Sequence, residues 1–241
     1  MSGKDSLNNE YTGADGQKHA IPGTLVVSAL AIVPDVDRSV TMDLKAAGNL
    51  VFAVGLTRGE MGGSSLWRNY PYPNPTPQGE EATEQKAGSS TDVRALPPLP
   101  LGDCEAWGEG KSLLELYRAL HRAISDGLVQ ACHDCSEGGL AVAATEMALA
   151  GGLGIELQLA DVPQTGDLDD TAIAFCESLG RFLVEVAPAD AAALLECLDG
   201  FAAAPVGLVR EDDRILLYGL GGQSVIETSI SAVETAWRGH L

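Results

Sequence analysis

The chain has 241 residues, 45% of them hydrophobic, and a formal net charge of -19 from 34 acidic and 15 basic side chains. With a mean hydropathy of +0.07 this describes a soluble globular protein of one large or two modest domains, long enough to bury a real core. The acidic excess excludes nucleic acid and anionic membrane as partners, because both require a basic footprint. It leaves room for a phosphorylated ligand held by a few local cations, a divalent metal and backbone amides.

No apolar run reaches membrane-spanning length, and the opening MSGKDSLNNEY lacks the basic-then-apolar pattern of a signal peptide, so a cytoplasmic setting is expected. The five cysteines, Cys104, Cys132, Cys135, Cys176 and Cys197, are odd in number and scattered, and they read as reduced thiols.

In chain order, residues 1–20 are polar and read as a loop or a strand-to-loop passage. TLVVSALAIV (24–33) is a β-branched apolar run between IPG and PDVD, which predicts a buried strand, and NLVFAVGLT (49–57) predicts another. From Gly59 to Pro100 periodicity vanishes, and the proline-rich, polar stretch at about 70–98 is expected to be a mobile surface excursion. KSLLELYRALHRAISDG predicts a helix with Leu113, Leu116, Leu120 and Ile124 on one face, Ser112 as cap and Gly127 as stop. GGLAVAATEMALAGG follows as an Ala-rich helix, LGIELQL as a strand, DLDDTAIAFCES as a helix and GRFLVEV as a strand. PADAAALLECLDG is a Pro-started helix, two or three strands fill 201–230, and ISAVETAWRGHL closes as a helix. Alternation of helices with apolar strands predicts a layered α/β/α fold.

Several stretches could carry chemistry. In ACHDCSEGGLAV, Cys132 and Cys135 have the C-x-x-C spacing that lets two sulfurs converge on a metal or exchange disulfides. A structural zinc site needs four ligands, however, and the other cysteines sit singly, so burial of small thiols is favoured. In the second half of the stretch Ser136 suits an N-cap and Glu137 a first turn. Gly138 and Gly139 would leave the first amides of that helix open to an anion or to another backbone, with tight packing favoured over phosphate. RGEMGGSSL offers Arg58, Gly62, Gly63 and Ser64 either as a phosphate-holding loop or as a plain turn. In ESLGR, Glu177, Ser178 and Arg181 suggest an ion pair at a strand start. Gly3, Lys4 and Ser6 lie in a GKDS loop without Walker spacing.

Taken in order, SGKDSLNNEY, TLVVSALAIVPDV, VTMDLKAAGNLVFAVG, RGEMGGSSL, HDCSEGGLAVAATEMALAGGLGIEL and ESLGRFLVEV resemble phosphoribosylformylglycinamidine synthase, of purine biosynthesis. The resemblance covers most of the chain and implies a C-terminal piece of a longer enzyme. Residues 1–35 would be the tail of an AIR synthase-like N-terminal subdomain, and 36–241 a three-layer α/β/α AIR synthase-like C-terminal domain. The ending at AWRGHL points to the multi-subunit form. The resemblance further implies an amidoligase using ATP and Mg2+. The amide oxygen of formylglycinamide ribonucleotide would be phosphorylated and then displaced by ammonia, which comes from a glutaminase subunit or domain. The implied partners are that glutaminase, the missing N-terminal portion and the small-molecule substrate, and a homodimer is one expected assembly.

Residue by residue, the resemblance assigns Gly3, Lys4 and Ser6 to nucleotide or substrate. Lys4 replaces an asparagine that meets magnesium in smaller members, and as a cation it suits phosphate instead. The resemblance places His133, Asp134, Ser136, Gly138 and Gly139 in the family's H-D-x-S-[DE]-G-G-L segment, with His133 orienting or structural and Cys135 at a variable position. Glu177, Ser178 and Arg181 match a motif whose first-half counterpart contacts substrate. No catalytic side chain and no metal-ligating residue is expected, and the chain alone is expected to be inactive. The alternatives are another ATP-using enzyme of the superfamily (aminoimidazole ribonucleotide synthase, selenophosphate synthase, thiamine-monophosphate kinase), whose sequences would lack the TMDLKAAGN run, and a non-catalytic packing module.

Overall fold

Alternating apolar residues build a seven-stranded sheet. The computed structural model describes residues 10–20, 30–33, 35–61, 64–69 and 112–239, with the backbone alone for residues 20, 67 and 68. The chain divides into two compact units, Met1–Val36 and Asp37–Leu241. In the first, β1 (Glu10–Thr12) and β2 (Lys18–Ala20) form an antiparallel hairpin. The expected strand at 24–33 falls mostly outside the described residues, and 30–33 carry no strand. The excursion at 70–98 and Cys104 also lie outside them.

In the second unit come β3 (Leu50–Val54), α1 (Ser65–Asn69), α2 (Leu113–Ser125), β4 (Ala131–Asp134), α3 (Gly139–Gly151) and β5 (Gly154–Gln158). They are followed by α4 (Asp170–Phe175), β6 (Phe182–Val186), α5 (Ala191–Cys197), β7 (Ala203–Arg210), β8 (Arg214–Tyr218), β9 (Ser224–Ser229) and α6 (Ile230–Arg238). The sheet order is β4-β6-β3-β7-β5-β8-β9. Among the described strands of this sheet only β5 and β8 pair in parallel, so the alternation of helices and strands in sequence produces a mixed, mainly antiparallel sheet.

Side-chain alternation gives the sheet two cores. Val51, Ala53, Leu183, Ile155, Leu157, Ile215 and Leu217 face α3, α4 and α6, where Leu140, Ala144, Met147 and Ile173 are buried against them. Phe52, Val54, Val184 and Val186 point the other way, onto Leu116, Ala119, Leu120 and Ala123 of α2 and Leu194 of α5. The result is a mixed α/β fold in three layers.

The α2 helix starts where expected. Ser112 Oγ accepts from the Glu115 amide at 3.3 Å and Glu115 Oε2 from the Ser112 amide at 2.7 Å, so two orphan end groups are satisfied reciprocally. The helix expected over 167–178 is shorter: Asp169 caps the Ala172 amide, and the chain turns extended at Cys176.

The TMDLKAAGN run is a plug at one end of this layer. Thr41 O accepts from Cys132 N along the outer edge of β4, and the Leu44 amide reaches Met147 O at the end of α3. Beneath it lies Glu185 of β6, fully buried. One carboxylate oxygen accepts from the Lys45 amide at 2.8 Å, and the other from the Ala46 amide at 3.0 Å and Asn49 Nδ2 at 2.7 Å. A buried carboxylate needs that many donors to offset its desolvation.

Candidate functional site

At the opposite end of β4 the chain leaves the sheet at Asp134, and three loops converge there: 57–61 with 64–65, 134–139 and 176–181. Arg181 organises the third. It is 4% exposed, which puts it out of reach of an external anion. Its guanidinium donates to Ser178 O at 3.2 Å, to Thr57 Oγ1 at 3.0 Å and to Cys176 O. Ser178 Oγ, also buried, accepts from the Arg58 amide at 3.1 Å, and Arg181 O accepts from Cys135 N at 2.9 Å.

The expected Glu177–Arg181 ion pair does not form. Glu177 turns instead to backbone, its Oε1 accepting from the amides of Ser65 and Gly138, each at 2.8 Å. Its own amide donates to Glu60 O at 3.2 Å. The sequence motif had the right residues in the wrong partnership, because three neutral oxygens can satisfy a guanidinium that carbonyls surround.

The helix end is also built differently from the expectation. Ser136 does not cap α3: its hydroxyl donates to Asp134 Oδ2, and the N-cap is Gly138, at φ +81. Gly139, at φ +66, lies so close to the next segment that a Cβ there would sit 2.4 Å from Cys176 O. At Gly139, therefore, the glycine pair serves backbone packing against 174–176.

Asp134, like Glu137 on the same loop, is an exposed acidic group of the site. The Ser136 hydroxyl, above all, holds its carboxyl below the ordinary carboxylate range, so it is ionised at neutral pH. His133 sits between two carboxylates, with Nε2 2.8 Å from Glu146 Oε2 and Nδ1 3.4 Å from Asp134 Oδ1. Glu146 and Thr57 were not singled out from the sequence. The one signal for Glu146 is a carboxylate in an otherwise Ala-rich helix, and for Thr57 there is none beyond a polar residue ending an apolar strand.

The C-x-x-C spacing does not make a site. Cys132 packs into the core under α2, whereas Cys135 is buried in the core under α3, on the other face of the sheet. Burial pushes both thiols up to about 12, so neither is a ready nucleophile or metal ligand. Among the described residues no group of three or more His, Cys, Asp or Glu side chains could hold a metal ion.

Of the sequence-derived candidates, Arg58, Ser64, His133, Asp134, Ser136, Gly138, Gly139, Glu177, Ser178 and Arg181 lie on these three loops and the strand and helix ends that join them. Gly62 and Gly63, and likewise Gly3, Lys4 and Ser6, lie outside the described residues. Among the described residues, no helix is long and apolar enough to cross a membrane.

Two curated relatives align along nearly the whole chain. Phosphoribosylformylglycinamidine synthase subunit PurL of Deinococcus radiodurans is 34% identical, covering 99% of this chain and 28% of the relative. The same subunit of Thermococcus sibiricus is 30% identical, covering 98% and 28%. The chain thus spans little more than a quarter of their length. Among solved structures, T. maritima PurL complexed with ATP superposes with a TM-score of 0.57 at 19% identity, over 81% of this chain and 27% of that one. T. maritima PurL complexed with FGAR gives 0.57 at 20%, over 82% and 30%. Residues 99–219, half of the sequence, match the family described as AIR synthase related protein, C-terminal domain, and the chain belongs to that family.

Proposed function

We propose that the chain is the C-terminal portion of a phosphoribosylformylglycinamidine synthase. The parent ligase converts formylglycinamide ribonucleotide, glutamine-derived ammonia and ATP to the amidine, ADP and phosphate in purine biosynthesis. The observation that carries this reading is the 34% identity to a synthase subunit sustained over 99% of the chain. ATP is the nucleotide in this reading, as in the T. maritima PurL complex. A glutaminase subunit or domain supplies the ammonia, and the setting is cytoplasmic. A homodimer is a further assembly consistent with it.

The division of labour follows from residue chemistry. Gly3, Lys4 and Ser6 are assigned to nucleotide or substrate, with the Lys4 ammonium meeting phosphate. Asp134 is an exposed, ionised carboxylate at the three-loop site. One carboxylate, completed by nucleotide phosphates and water, suits Mg2+, which seldom takes an all-protein cage. Bound there, the ion would neutralise phosphate charge, and Ser136 would hold Asp134 in place through its hydroxyl. His133 orients Asp134 and Glu146. Residues 1–35 belong, in this reading, with the preceding subdomain and 36–241 form the C-terminal domain.

A second reading, a packing half without a live site, is favoured by Gly139 lying against Cys176 O and by Glu177 taking the Gly138 amide. Calorimetry with a non-hydrolysable ATP analogue and Mg2+ separates the two readings. The parent synthase is expected to bind, with K4A and D134N each weakening affinity roughly tenfold through loss of one charged contact. Affinity unchanged in both variants would leave this chain as a scaffold.

A further inference from the structure

We infer that Glu177 is the positioning residue of the three-loop site: one carboxylate oxygen locks two remote turns together and fills the place where an external anion would meet their amides. Ser65 opens α1 and Gly138 is the N-cap of α3, and both amides point at Glu177 Oε1, at 2.8 Å each. The start of α3 has no side-chain cap of its own. Gly138 has no side chain, and the nearest hydroxyl, that of Ser136, is committed to Asp134. The internal carboxylate does what an N-cap or a bound anion does elsewhere, complementing the positive end of the 13-residue α3.

The carboxylate is delivered from a fixed base. Residues 176–181 are held by Arg181 on Thr57 Oγ1 and Ser178 O, by Ser178 on the Arg58 amide, and by the Glu177 amide on Glu60 O. The sheet, through β6, therefore sets where Oε1 sits, and Oε1 sets where the other two turns sit. Two consequences follow. A ligand phosphate at this end cannot use the Gly138 amide while Glu177 holds it. Displacing either turn is also felt at the other. Naming that phosphate as a nucleotide's rests on the function proposed above, whereas the tie itself does not.

Amide exchange of the ligand-free 241-residue chain, followed by NMR, tests it. In E177A the Ser65 and Gly138 amides are expected to exchange together, roughly tenfold faster or more, as befits loss of a charge-assisted bond, with amides in the middle of α3 unchanged. Acetate is expected to slow both again, and chloride at equal ionic strength is not. E177Q keeps an acceptor oxygen without the charge, so both amides should speed up by a smaller factor, roughly fivefold. If E177A fails to fold, E177Q decides alone. Unchanged exchange, or a change at only one amide, would overturn the inference, as would a shift of the wild-type Gly138 amide on titration with inorganic phosphate. Failure of the parent enzyme to bind an ATP analogue would sink the functional reading and leave these exchange results untouched.

Discussion

Cys132 and Cys135 are separated by two residues but by the thickness of a sheet. Their raised thiol values have a consequence for stability because the unfolded chain does not share them. In the folded state burial favours the neutral thiol up to about 12, whereas an unfolded cysteine ionises near about 8.5. The folded value is the higher one, so this contribution is complete below the unfolded value and is lost as pH climbs towards 12. Each thiol is expected to remove about 1.4 kcal/mol of stability per pH unit within that window. Urea unfolding at stepped pH would show the decline, and it should be shallower in C132A and C135A. An unchanged slope in both would remove the thiols from the account. The same protonation makes both sulfurs slow towards alkylating reagents until the chain unfolds.

The clearest coupling between elements is that of the 41–49 run with β6. Glu185 gives its two oxygens to three donors of that run and is wholly inaccessible. Truncation in E185A would strand the Lys45 and Ala46 amides and the Asn49 side chain, at a cost of about 3 kcal/mol or more. E185Q, which keeps one acceptor, is expected to lose about half as much. Chemical denaturation should rank wild type above E185Q and E185A last, and an E185A loss within about 0.5 kcal/mol of zero would contradict the plug.

These elements also show what could be read in advance. Ser112 announced the start of α2, and the Ala-rich run between glycine pairs announced α3, because caps and periodicity are local signals. The carboxylate in VEV gave no sign that it would be buried, since its partners lie in a loop far away in sequence. Ser136 looked like a cap by residue type, yet the chain continues two residues before turning helical, so the hydroxyl found Asp134 instead. The ESLGR motif told which side chains matter and not which atoms they meet. Strand order was equally illegible: the pattern of apolar runs is the same whichever neighbour a strand takes.

At the scale of the whole molecule, the sheet of Asp37–Leu241 carries a core on each face, enough for this unit to fold by itself. Folding and catalysis separate here. The three-loop site offers the exposed, ionised Asp134, the tied-down carboxylate of Glu177 and the buried guanidinium of Arg181. The described residues include no side chain poised as a nucleophile, and phosphoryl transfer relies on cations and donors around phosphate rather than on such a group. The chain covers 28% of the length of the synthase subunits it resembles, and under the proposed function the remaining donors come from the rest of the parent. Supplied with ATP, Mg2+, ammonia and formylglycinamide ribonucleotide, the 241-residue chain is therefore expected to fold by circular dichroism yet form no amidine, with product assayed directly. The upstream portion of the parent, added in trans or fused, should restore turnover. Product from the chain alone would mean that these 241 residues already carry every cation and donor the phosphoryl transfer needs, and that the rest of the parent serves another purpose.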